Sequence, residues 1–165
     1  MPRLSGRTPR VVKIVRVNRQ NIKDLLQLIE GLARYENAVP PDQAAKRRLT
    51  IDASSKSPPY RAFVAYLRGK PVGYIIHYYT YSTYDGRRIF FLEDIFVAKN
   101  ARKKGVGKDL FNFCLQEAKK QDCCELQWAV LTWNEDAIRF YKRMGGKRQD
   151  LHIYGIDERN FGANQ

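Results

Sequence analysis

Residues 92–108 read LEDIFVAKNARKKGVGK. An apolar strand runs out at Val97, a short basic turn follows, and Gly105-Val106-Gly107 opens a helix. Two glycines let backbone N–H groups come close to a ligand, and unpaired donors and the positive end of the helix dipole then point the same way. That arrangement suits pyrophosphate. A glycine pair at such a turn often serves only the turn, so the surrounding pattern has to decide. Two common phosphate loops do not fit. The Walker pattern needs Gly five residues before Gly107 and Ser or Thr after Lys108, where the chain has Arg102 and Asp109. The dinucleotide fingerprint needs a first strand–helix unit of a parallel sheet, and here the turn follows a meander.

The meander is three strands, 60–67, 72–82 and 88–97, with Arg68-Gly69-Lys70 and Asp85-Gly86 as tight turns. Upstream, VVKIVRV (11–17) alternates as a strand, and Asn18 is placed to cap a helix with Ile22, Leu25, Leu26, Ile29, Leu32 and Ala33 at helical spacing. Pro40-Pro41 breaks the chain, and Asp42 is placed to cap a short helix reaching Leu49. Downstream, the glycine turn leads into a helix to about Lys120 that is apolar over much of its circumference, so cover on most sides is expected. A strand over 125–132, a helix from Asn134 through Met144 and a last strand over 147–156 complete the pattern. The expected fold is α/β (α+β): a mixed, mostly antiparallel sheet of six to seven strands flanked by helices. Residues 1–10, with three Arg, two Pro and no acid, are expected to form a flexible basic tail before one domain over 11–165.

The chain has 165 residues, enough for one ordinary core. Its 44% hydrophobic content excludes wholesale disorder and fibrous structure. Cys114, Cys123 and Cys124 make no disulfide framework and no Cys/His set has zinc-ligand spacing, so reduced thiols, no metal and a cytoplasmic location are expected. No apolar run approaches the ~20 residues of a membrane span. The net charge of +13 invites a nucleic-acid reading. Most aromatics, however, fall at core-patterned positions, and no recognition helix or RNA-binding aromatic signature occurs. Three stretches without acid, 1–19, 99–108 and 139–148, hold six, five and five of the 30 basic residues, while the remainder has 14 basic against 17 acidic. The excess is concentrated on the glycine turn, the last helix and the tail.

Arg102-x-x-Gly105-x-Gly107 between a meander and a central helix resembles the acetyl-CoA signature of the GNAT N-acetyltransferase superfamily. Ala33-Arg34-Tyr35-Glu36, Leu92-Glu93-Asp94-x-Phe96-Val97, Trp133-Asn134-Glu135 and Phe140-Tyr141-Lys142-Arg143-x-Gly145 are similar, in order and with compatible spacing, to its spermidine/spermine (diamine) and thialysine branch. The resemblance implies that splayed central strands hold acetyl-CoA. Ile95, Phe96 and Val97 would orient the pantetheine arm, Arg102, Lys103, Lys104, Gly105, Val106, Gly107 and Lys108 would hold the pyrophosphate, and Asn134 would contact the cofactor. It also implies that Tyr141 is the general acid to the departing thiolate, and that Glu93 binds the amine and helps to deprotonate it, with Tyr35, Glu36 and Asp94 extending the acceptor site. A homodimer in which 147–156 packs across the interface is implied as well.

Elementary chemistry agrees. Acetyl transfer to an amine needs an unprotonated nucleophile, a polarised carbonyl and a proton donor, and a phenol is still protonated at neutral pH. Tyr141 could equally belong to the core stripe of its helix with Phe140 and Met144. Glu93 and Asp94, adjacent on a strand, are expected on opposite faces with at least one drawn inward. An inward carboxylate requires a cation, either a substrate ammonium or an internal Arg. His77 and His152 read as structural. After Glu36 the diamine branch carries further acids where this chain has Asn37-Ala38-Val39-Pro40, so a small lysine- or ornithine-like amine such as thialysine fits at least as well as a polyamine. The alternatives are a protein lysine or amino-terminal acceptor and, outside enzymes, a basic nucleic-acid-binding module.

Overall fold

The computed structural model describes residues 11–162, so the expected tail over 1–10 lies outside the described residues. The chain divides between Ala129 and Val130 into two compact units. The first runs β1 (Val12–Arg16), α1 (Ile22–Glu36), α2 (Gln43–Ala53), β2 (Arg61–Leu67), β3 (Lys70–Ser82), β4 (Arg87–Val97), a 3-10 turn over Lys99–Ala101, α3 (Val106–Lys120) and β5 (Glu125–Trp128). The strands lie in the order β1-β2-β3-β4-β5. The first four are antiparallel, whereas β5 joins β4 in parallel over only four residues, Ile89↔Glu125 to Leu92↔Trp128.

The sheet is therefore mixed and mostly antiparallel as expected, with five strands instead of six to seven. Alternation at 147–156 does not become a strand: among the described residues that stretch joins no ladder, and Leu151, Ile153, Tyr154 and Ile156 stand 59%, 79%, 90% and 66% exposed. An extended segment becomes a strand only where its N–H and C=O groups meet another edge. For the same reason β5 stops at Trp128 and does not continue to Thr132.

Each face of the sheet carries one helix. On one, Ile22, Leu25 and Leu28 of α1 pack against Ala62, Val64, Tyr74, Ile76 and Phe96. On the other, α3 buries Val106, Leu110, Phe111, Cys114 and Ala118, with Phe113 against Phe63 and Phe111 edge-on to Trp128. The cover of α3 is one-sided, since Leu115 remains 45% exposed. Asn18 caps a turn and not the helix: its Oδ1 accepts from Gln20 N–H at 2.8 Å, its own N–H donates to Asn21 Oδ1 at 2.7 Å, and α1 starts at Ile22. Asp42 does cap α2, accepting from Ala45 N–H at 2.7 Å. That helix runs past Leu49 to Ala53, because Tyr60 Oη donates to the Leu49 carbonyl and Thr50 Oγ1 to the Lys46 carbonyl, which ties down its last turn.

The second unit contains α4 (Glu135–Arg143), whose N-terminus is capped by Asn134 accepting from Ala137 N–H at 3.2 Å, and a 3-10 turn over Glu158–Asn160 capped by Asp157. Among the described residues no helix is long and apolar enough to cross a membrane.

His77 belongs to the α3 side of the sheet. Its ring is fully buried, stacked on Phe90 at 4.0 Å and on Phe63 at 6.0 Å. Burial, followed by the charges of Arg61 and Arg16, lowers its pKa from 6.5 to about 4. As pH falls below 6.5 the unfolded chain takes up this proton and the native chain does not, so stability drops from pH 6.5 down to about 4 and then levels. His77→Phe is expected to keep the ring stack and to gain stability relative to the parent by about 1–3 kcal/mol between pH 7 and 4.5 in thermal melts. Parallel pH dependence of the two proteins would remove this role.

Candidate active site

Around the glycine turn the backbone has the geometry an anion requires. Gly105, at the N-cap of α3, adopts φ 76°, and Lys103 adopts φ 59°. This left-handed path is open to glycine and strained for most other residues. No side chain caps α3, and its first i→i−4 bond is Asp109 N–H to Gly105 O at 3.0 Å. The N–H groups of Val106, Gly107 and Lys108 therefore have no acceptor within the helix. Val106 anchors the turn by its side chain, 1% exposed, and can offer a ligand only its backbone. Lys103, Lys104 and Lys108 are exposed around it.

Next to the turn, β4 outruns β5. Beyond Leu92↔Trp128 residues 93–97 have no strand on their outer side among the described residues, which leaves alternate N–H and C=O groups for an amide-bearing ligand. Ile95 and Val97 are half-buried there, while Phe96 turns into the α1 core. The Arg102 side chain, half-buried, is directed toward the end of β4 and α1. Its Nε–H donates to the Val97 carbonyl at 2.9 Å, and its guanidinium lies 4.3 Å from the centre of the Tyr35 ring and 5.8 Å from that of Phe96.

Glu93 and Asp94 do not take opposite faces. In the β3–β4 ladder Ile76 pairs with Asp94 and His77 with Leu92, so Glu93 is a bulge residue with no partner of its own. Both carboxylates consequently reach the face of β3 that bears Tyr74, Ile76 and Tyr78. Tyr74 Oη donates to Asp94 Oδ2 at 3.1 Å, and Tyr78 Oη donates to Glu93 Oε2 at 3.0 Å. A cleft of about 440 Å³ opens there, lined by Ile29, Tyr60, Ile76, Tyr78, Glu93 and Asp94, with Val39, Pro41 and Leu49 completing its rim. Burial pushes Asp94 up from 3.8 to about 6; the Tyr74 hydrogen bond opposes that shift, and the charges of Glu93 and Glu36 add to it. Glu36 is also raised by burial. Among the described residues no cation forms an ion pair with Glu36, Glu93 or Asp94, so the internal salt bridge that the sequence left open is not made.

A cleft of about 500 Å³ over β1, lined by Lys13, Asn21, Tyr66 and Arg68 among others, holds no carboxylate. Among the described residues no group of three metal-ligating side chains occurs. In the second unit Tyr141 lies on α4, half-buried, its ring 5.4 Å from that of Phe140, and Asn134 serves as the helix cap.

Sequence reasoning missed Tyr74 and Tyr78. Their spacing of four puts both on one face of a strand, but only the register across from the bulge reveals that each phenol meets a carboxylate.

The model of the acetyltransferase (GNAT) family matches residues 24–146, spanning both units. The chain is 35% identical over 136 residues to the thialysine N-epsilon-acetyltransferase of Bos taurus, covering 78% of each, and 29% identical over 129 residues to that of Caenorhabditis elegans, covering 78% of this chain and 79% of the relative. Its fold matches an aminoglycoside N-acetyltransferase solved in complex with CoA at TM-score 0.75, with 20% identity over 94% of this chain and 99% of that one. A pyrophosphate-type turn, an unpaired strand edge beside it and a family match over most of the chain lead to one conclusion: the protein is an acyltransferase and belongs to the acetyltransferase (GNAT) family.

Proposed function

We propose that this protein transfers an acetyl group from acetyl-CoA to the primary amine of a small lysine-like amino acid, of the thialysine or ornithine type, or of a short diamine. The observation that carries this reading is the carboxylate pair at the bulge. Two carboxylates share one cleft, each accepting from a phenol, and among the described residues no cation forms an ion pair with them. A substrate ammonium supplies the missing charge. Among the described residues, Glu93 and Asp94 are the only acids lining a cleft that is otherwise apolar or phenolic, which suits a short amine better than a long polycation. The relatives named as thialysine acetyltransferases support the same class.

Acetyl-CoA would bring an activated thioester whose carbonyl accepts the amine and whose thiolate leaves. The residues present fit it: the N–H groups of Val106, Gly107 and Lys108, with Lys103 and Lys104, would face its pyrophosphate, and the edge of residues 95–97 not covered by β5, apart from the Val97 carbonyl taken by Arg102, would bond the amides of its arm. Glu93 and Tyr78 would hold the ammonium. Asp94, raised to about 6, is matched to take a proton from the amine; Glu36, whose charge reaches Asp94, and Tyr35 are assigned to the acceptor side on the strength of the sequence match. Tyr141 is assigned the proton delivered to the leaving thiolate, on the strength of its sequence match. Asn134 is assigned a cofactor contact on the same ground. Residues 11–165 are read as one catalytic domain, since the family match crosses the boundary between the units. The exposed apolar row Leu151, Ile153, Tyr154 and Ile156 supports a homodimer, and three thiols without a disulfide suit a cytoplasmic setting.

Turnover of acetyl-CoA, read as free thiol, is expected with thialysine, lysine, ornithine or a short diamine and to be weaker with spermine and a histone-tail peptide; no turnover with any small amine would overturn the assignment. Tyr141→Phe should lower kcat by about tenfold or more while leaving CoA affinity within about threefold, and an unchanged kcat removes Tyr141 from the mechanism. For Asp94, the native chain holds its proton up to about pH 6 whereas the unfolded chain releases it near 3.8. Its ionisation therefore costs stability progressively from pH 4 through 6, and fully above. Asp94→Asn should melt higher than the parent at pH 8 by about 1–3 kcal/mol, with the gap closing toward pH 4, while losing most of its kcat/KM. A gap that does not depend on pH would contradict the assignment.

A further inference from the structure

The glycine turn carries four cations, and three of them, Lys103, Lys104 and Lys108, stand exposed where an anionic ligand would lie. Arg102 is half-buried, with its Nε–H and the carbon of its guanidinium directed at the protein. Its Nε–H donates to the Val97 carbonyl at 2.9 Å, at the very end of β4, and its guanidinium carbon lies over the Tyr35 ring, 4.3 Å from its centre and 5.8 Å from that of Phe96. A guanidinium is planar and donates in its plane while lying over a ring face, a geometry that a compact ammonium does not reproduce.

Tyr35 is no neutral partner. It is the last residue but one of α1, it precedes Glu36, and the helix ends immediately afterwards at Asn37, which turns left-handed at φ 56°. Where Tyr35 sits therefore fixes where the connection 37–42 departs, and that connection supplies Val39 and Pro41 to the wall of the carboxylate cleft. Behind the ring, α1 approaches β4 closely: a Cβ added at Gly31 would stand 3.1 Å from Phe96 Cε1. The helix end and the strand end are thus in contact through Phe96 and joined through Arg102.

We propose that Arg102 is a positioning residue for the amine-accepting cleft: its guanidinium ties the end of β4 to Tyr35, and it does not act as a counter-ion for bound phosphate. The turn then has two separable parts. Its backbone N–H groups and lysines face the cofactor, while Arg102 transmits the position of the β4 end to the acceptor wall. The effect on amine affinity rests on the reading of the cleft as an amine site, whereas the effect on CoA affinity does not.

The test uses the full chain and the variants Arg102→Ala, Arg102→Lys, Tyr35→Ala and the double Arg102→Ala/Tyr35→Ala. CoA affinity is measured by calorimetry, and amine KM and kcat at saturating acetyl-CoA. Both Arg102 variants are expected to raise amine KM about tenfold, with kcat and CoA Kd each within about threefold of the parent, and the double variant should be no worse than the worse single one. Tenfold weaker CoA binding in Arg102→Ala that Lys restores would mean a phosphate counter-ion and overturn the proposal. So would an unchanged amine KM, or KM effects that multiply in the double variant. If Arg102→Ala does not fold, Arg102→Lys decides by the same readings. If the parent turns over no amine, the functional assignment fails and takes the positioning of an amine cleft with it, while CoA affinity still decides whether Arg102 is a phosphate counter-ion: within threefold it is not, and a tenfold loss that Lys restores shows that it is.

Discussion

One extra residue in β4 organises the acceptor side of this protein. Without the bulge at Glu93, strict alternation would send that carboxylate to the α3 face, among Phe63, His77 and Phe90, where an unpaired charge is costly. The bulge keeps Leu92 opposite His77 in the apolar layer and turns Glu93 and Asp94 together toward Tyr74 and Tyr78. The like charges cannot separate along the strand, and Asp94 relieves part of their repulsion by holding its proton up to about pH 6. A single slip in register thus preserves the core on one face and builds an anionic cleft on the other.

The cofactor side depends on a different economy. Its donors are backbone groups of the α3 N-terminus, and their positions are fixed by Val106 and Leu110 buried in the core, with Gly105 supplying the left-handed step that starts the helix. Lysines on such a turn contribute field more than geometry, because exposed charges are screened and mobile. Arg102, half-buried where Lys103, Lys104 and Lys108 are exposed, contributes geometry. The net charge of +13 is therefore no uniform polyanion surface: part of it surrounds the turn, and part, at Arg102, is half-buried over Tyr35.

Much of this was legible beforehand. The meander, both flanking helices and the glycine turn follow from hydrophobic period and turn residues, which act over a few positions. The structure departs from that pattern where a competing or distant partner decides. Asn18 has the chemistry of a helix cap, yet the chain closes an extra turn through Asn21 first. Residues 147–156 alternate like a strand but find no edge among the described residues. The helix from Asp42 runs a turn longer because Tyr60, seven residues past its end, bonds its backbone at Leu49.

By itself, the sequence determined that a strand, a basic glycine turn and a helix follow one another, that an acidic pair sits at the strand's end, and that an aromatic and an acid, Tyr35 and Glu36, close the first helix. These are local matters, governed by spacing along a chain whose period is set by its backbone. Which face each carboxylate takes, which phenols receive it, and that Arg102 turns inward to Tyr35 were decided only by tertiary structure. Strand register and ring stacking join residues that are from 15 to 67 positions apart, and no local spacing encodes them.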